Sequence, residues 1–89
     1  MAIGTLTTEE IVRRGQEIYE QEIRPKVEAG NEGKLLVINV ETGDYVMEAD
    51  DATALERAKT QYPDAELVAV RVGYPSAYRL GGRFKAQKP

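Results

Sequence analysis

An 89-residue chain with 42% hydrophobic and 30% charged residues has room for one core and is too apolar to be a disordered segment. It contains no cysteine and no histidine, which excludes disulfide frameworks, thiol chemistry and zinc ribbons and removes the commonest general base, metal ligand and pH switch. The net charge of -3 conceals a division: residues 1–66 carry fifteen acids and seven bases, whereas residues 67–89 carry five bases and no acid.

The opening MAIGTLTTEE has neither the basic start nor the apolar run of a signal peptide, and no apolar stretch reaches membrane-spanning length. The expected location is the cytoplasm. Thr7-Thr8-Glu9-Glu10 then reads as a capping box opening a helix. Ile11, Val12, Gly15, Ile18, Tyr19 and Ile23 recur at helical spacing and define its buried face. Pro25 lacks an N–H and its ring collides with the carbonyl of Gln21, so the helix is expected to kink or stop near Arg24. A short turn through Lys26-Val27-Glu28-Ala29 follows, closed by Gly30.

Lys34 to Val40, KLLVINV, is apolar on both parities, the pattern of a central strand covered on both faces. Glu41-Thr42-Gly43-Asp44 forms a compact turn with Gly43 at the positive-φ position, and Tyr45-Val46-Met47-Glu48 returns as a second strand. Asp50 caps a second helix whose narrow stripe is Ala54, Leu55, Ala58 and Tyr62. Leu67 to Val72 is a third strand, broken by Gly73-Tyr74-Pro75, and Tyr78-Arg79-Leu80 is a candidate short edge strand.

The order helix, strand, strand, helix, strand predicts a single α+β domain over residues 1–89, frayed at about 1–6 and 85–89. A right-handed crossover through the second helix gives an antiparallel sheet ordered 2-1-3, with the short fourth strand optional. Both helices are expected on one face, which would leave the other face of KLLVINV for a partner subunit to cover. A homodimer is the natural expectation.

Several pieces of this chain resemble a family of small uncharacterised bacterial proteins, frequent in cyanobacteria. They are Arg14-Gly15 with Ile18-Tyr19-Glu20, the run Val40-Glu41-Thr42-Gly43-Asp44-Tyr45, Pro63-Asp64-Ala65, and Arg71-Val72-Gly73-Tyr74 followed by Tyr78 and Gly81-Gly82. The resemblance spans most of the chain, from Ile11 to Gly82. It implies a stand-alone accessory or antitoxin-like protein with no established activity. Where the family pattern has an aspartate and an acid beside the hairpin turn, this chain has Asn39 and Val46.

The densest set of special residues is Arg71, Tyr74, Tyr78, Arg79, Gly81, Gly82 and Arg83. Arginine binds carboxylate or phosphate bidentately, and tyrosine offers a rigid amphipathic surface, so this set is the candidate binding surface. Asp44, Glu48, Asp50 and Asp51 are crowded acids without calcium-loop spacing, and their turn and cap positions account for them without a metal. The basic end, with Arg79, Arg83, Lys85 and Lys88, meets an acidic body and an overall pI near 5.0, which disfavours nucleic acid. The sequence therefore predicts a non-enzymatic protein-interaction module that needs no cofactor or membrane and either self-associates or binds a protein partner. The rival reading is a binder of a small phosphate or carboxylate, or a minor enzyme, with Arg71, Tyr74, Tyr78 and Arg79 converging on one pocket.

Overall fold

The computed structural model describes residues 6–80. Helix α1 (Thr8–Ile18) opens on the expected capping box: the Thr7 hydroxyl accepts from the Glu10 N–H at 3.1 Å, and the Glu10 carboxylate accepts from the Thr7 N–H at 2.8 Å. Two orphan donors of the first turn are satisfied in this way. The helix does not stop before Pro25. It widens into a π-helical turn over Tyr19–Ile23, where the Arg24 N–H reaches back to the Tyr19 carbonyl, and α2 (Arg24–Val27) continues beyond it. Shifting the hydrogen-bond register by one residue is how a helix accommodates a proline that can neither donate nor tolerate a close carbonyl.

Strand β1 (Leu35–Asn39) pairs antiparallel with β2 (Tyr45–Glu48), Val37 standing opposite Val46. Gly43, at φ 88°, lets the connecting turn close, its N–H donating to the Asn39 carbonyl at 2.7 Å. Asn39 is buried, and its side-chain carbonyl accepts from the Glu41 N–H at 2.9 Å, so the amide is spent on the turn. Helix α3 (Asp51–Gln61) is capped by Asp50, whose carboxylate takes both the N–H and the hydroxyl of Thr53. Strands β3 (Leu67–Arg71) and β4 (Ala77–Arg79) complete an antiparallel sheet ordered β2-β1-β3-β4. This is the α+β architecture that the element order implies, with the fourth strand formed.

The two helical layers lie on opposite faces of the sheet, which corrects the expectation of a single helical face. Leu36, Ile38, Val68 and Val70 pack with Ile11, Tyr19, Ile23 and Val27 of the first helical segment, while Leu35, Val37, Leu67 and Ala69 pack with Ala54 and Ala58 of α3. The double apolar parity of KLLVINV is thus met within the chain. Each fully buried aliphatic side chain contributes about 1.5–3 kcal/mol, and Leu35 to Ile38 are all at 1% exposure or less, so no partner subunit is required to cover β1. The alanines of α3 let that helix lie close. On the other face Gly15 does the same: a Cβ placed there would come within 2.7 Å of the Val68 Cβ. Of the ends expected to fray, about 1–6 and 85–89, all but Leu6 lie outside the described residues, and Leu6 packs against the core on the α1 face.

Candidate functional site

Arg71, Tyr74, Tyr78 and Arg79 lie on and beside the β3–β4 hairpin. Gly73 takes φ 86°, the Tyr74 N–H donates to the Arg71 carbonyl at 3.0 Å, and the Ser76 N–H donates to the Tyr74 carbonyl at 2.8 Å across Pro75. These bonds fix Tyr74 at the corner, 58% exposed, and Tyr78 follows on β4, 46% exposed. Among the described residues these two are the exposed large hydrophobic side chains.

Arg71 stands opposite Leu35 and so faces α3. Its guanidinium forms a bidentate pair with Asp51 at 2.8 and 2.9 Å and donates to the Gly33 carbonyl at 3.1 Å. That hydrogen bonding raises the pKa of Arg71 and lowers that of Asp51. Arg79 stands opposite Val68 and faces α1. It grips Glu66 at 3.0 and 2.9 Å and reaches the Thr8 hydroxyl at 2.8 Å, tying the edge strand to the start of α1. The two arginines are therefore on opposite faces of the sheet, each engaged by a carboxylate. Arg71 and Tyr74 line one cleft with Gly33 and Ser76, but neither Arg79 nor Tyr78 joins them, so the four residues do not converge on one pocket. Gly81, Gly82 and Arg83 lie outside the described residues.

The crowded acids are likewise accounted for: Asp44 accepts from the Thr42 hydroxyl, Asp50 caps α3, Asp51 holds Arg71, and Glu48 pairs with Arg57. Val46 is buried against α3, where a carboxylate would have to be desolvated.

Sequence reasoning missed the residues that meet Tyr74 from the helical side. A cleft of about 220 Å³ is lined by Tyr19, Glu20, Arg24, Glu28, Gly73, Tyr74 and Pro75. Arg24 crosses it, donating to Glu20 at 2.7 Å and to Glu28 at 2.9 Å. Tyr19 is 5% exposed, and its hydroxyl lies near the Gly73 backbone without completing a hydrogen bond of good geometry to any described group. Burial pushes its phenol above the ordinary range and keeps it neutral. The i±4 spacing of Glu20, Arg24 and Glu28 was readable in the sequence, but their meeting with a hairpin some fifty residues later was not. Compared with known proteins, the chain matches no family model, no curated protein and no solved structure.

Proposed function

We propose that this chain is a small cytoplasmic protein-interaction module, accessory or antitoxin-like in role, that self-associates through its β3–β4 hairpin. The observation that carries this reading is the exposure of Tyr74 and Tyr78 on one hairpin while the aliphatic residues of both faces are buried. Aromatic side chains that remain outside a completed core are the usual anchors of an interface, supplying large contact area with few rotatable bonds. Strand β4 supports the same reading because it stands at one end of the strand order. The Arg71 N–H bonds to the Ser76 carbonyl and the Leu80 N–H to the Leu67 carbonyl, so the alternation of an antiparallel ladder turns the Ala77 and Arg79 backbone groups outward. The basic end and the acidic body give two copies complementary charge.

The test is to measure association and stability on one variant. Tyr78→Ala is expected to weaken self-association by about 2 kcal/mol, roughly thirtyfold, and to cost the isolated fold less than about 1 kcal/mol. Intact association with a stability loss of about 3–5 kcal/mol, the range for emptying a buried aromatic site, would assign Tyr78 to the core and remove the binding role.

A further inference from the structure

The two faces of the sheet are unlike at β4. Helix α1 packs across β3 and β4, whereas α3 packs across β1 and β2. Tyr78 stands opposite Ala69 and so points to the α3 side, where the helix lies over the other half of the sheet and leaves the ring exposed. Ser76 and Leu80 share that side of the strand by the two-residue alternation, so this strip of the edge, Ser76-Tyr78-Leu80, carries no charge.

The backbone of the edge is self-complementary. Ser76 bonds to Arg71 and Leu80 to Leu67, and the alternation gives the backbone groups of Tyr78 to Ala69 and leaves those of Ala77 and Arg79 pointing away from the sheet. A two-fold axis along this edge admits few registers. Setting Ala77 against Ala77 of a second copy brings Pro75, which has no N–H, to a ladder position that needs a donor. Setting Arg79 against Arg79 opposes like charges on one face, which destabilises a strand pair. Setting Ala77 against Arg79, and Arg79 against Ala77, satisfies every outward N–H and C=O of both strands. Each Arg79 then meets an alanine and keeps its own bonds to Glu66 and Thr8. In the same register the two Tyr78 residues stand directly opposite at the axis. They form a non-hydrogen-bonded pair, the kind in which Cα atoms are about 4.5 Å apart and side chains lie closest, and aromatic pairs across strands are favourable there.

We infer that two copies of this chain join edge to edge, β4 antiparallel to β4 with Ala77 against Arg79, into one continuous sheet whose two-fold axis passes between paired Tyr78 rings. This names the mode of the self-association proposed above and rests on it.

The test is amide hydrogen exchange followed by NMR on the ¹⁵N-labelled full chain, at concentrations that sedimentation shows to be monomeric and dimeric. The Ala77 and Arg79 amides should exchange roughly tenfold more slowly once about nine-tenths of the chain is dimer. In a mixture of ¹³C-labelled and unlabelled copies, a filtered NOE between Tyr78 of one copy and Tyr78 of the other is expected, and a dimer without it would overturn the register. Ala77→Pro removes no hydrogen bond within the chain, because that N–H faces outward, but it deletes one bond from each copy across the axis. Dimerisation should weaken roughly tenfold or more, with the urea midpoint confirming that the variant folds. A dimer whose Ala77 and Arg79 amides exchange as fast as in the monomer would overturn edge pairing while leaving the hairpin's self-association in place. Equal protection in the monomer would assign the edge to a segment of the same chain and would likewise overturn it. A chain that stays monomeric throughout would remove both readings, so the two failures are told apart.

Discussion

Replacing Gly15 by alanine sets two effects against each other, and the structure says which wins. In an exposed helix interior the change gains about 1 kcal/mol, because alanine restricts the unfolded chain and glycine does not. Here the new Cβ would lie 2.7, 2.8 and 2.9 Å from the Cβ, Cγ1 and Cγ2 of Val68. Val68 is fully buried on β3, paired with Ile38 on one side and Arg79 on the other, so its Cβ is held by the sheet. Helix α1 must therefore lift, loosening Ile11 and Tyr19 from the same core. Overpacking of this kind costs about 1–3 kcal/mol, leaving a net loss of up to about 2 kcal/mol after the propensity gain. Urea denaturation followed by circular dichroism would measure it, and trimming Val68 to alanine in the same chain should make the combined loss smaller than the sum. A Gly15→Ala protein more stable than the parent by about 1 kcal/mol, the full propensity gain, would show that the helix does not approach the sheet this closely.

Arg79→Ala should lower stability by about 2 kcal/mol, the scale of hydrogen bonds to a charged group, because it leaves the largely enclosed Glu66 carboxylate without its guanidinium; a change within about 0.5 kcal/mol in urea denaturation would contradict this. Asp50 and Asp51 have pKa values lowered from 3.8 by their bonds to Thr53 and Arg71, so the stability they contribute is present above that value and is lost as pH falls through their folded-state values. Asp51→Asn should accordingly flatten the acid limb of a stability–pH profile. Tyr19 and Tyr62 have pKa values raised from 10.0 by burial, so their contribution is complete below that pH and is lost as pH rises past it. Tyr19→Phe should flatten the alkaline limb and, by removing an unpaired buried hydroxyl, leave neutral-pH stability unchanged or raised by about 1 kcal/mol.

Local chemistry made much of the fold legible. The Thr7–Glu10 box, the Asp50 cap, the Gly43 turn and the doubly apolar β1 are each written in residues close in sequence, and the strand order followed from short connections. The side of the sheet taken by α3 was not legible, because a stripe as narrow as Ala54 and Ala58 fits either face and only three-dimensional closure selects one. Pro25 announced a break in the helix but not its form, since stopping and re-registering both relieve the same clash. For the candidate site, Gly73 and Pro75 marked Tyr74 as a corner residue, but whether Tyr74 and Tyr78 are exposed or close the core was not legible, and Arg71 was grouped with Arg79. Eight residues apart on either side of a hairpin, the two are sent to opposite faces by the register Val68↔Arg79 and Leu35↔Arg71.

The proposed function is tested most directly by sedimentation equilibrium of the full chain across the micromolar range, run beside the Tyr74→Ala, Tyr78→Ala double variant at matched folded stability. Self-association through the hairpin predicts a concentration-dependent dimer for the parent chain and a monomer for the double variant over the same range. A parent chain that remains monomeric throughout, or a double variant that dimerises as tightly as the parent, would contradict it.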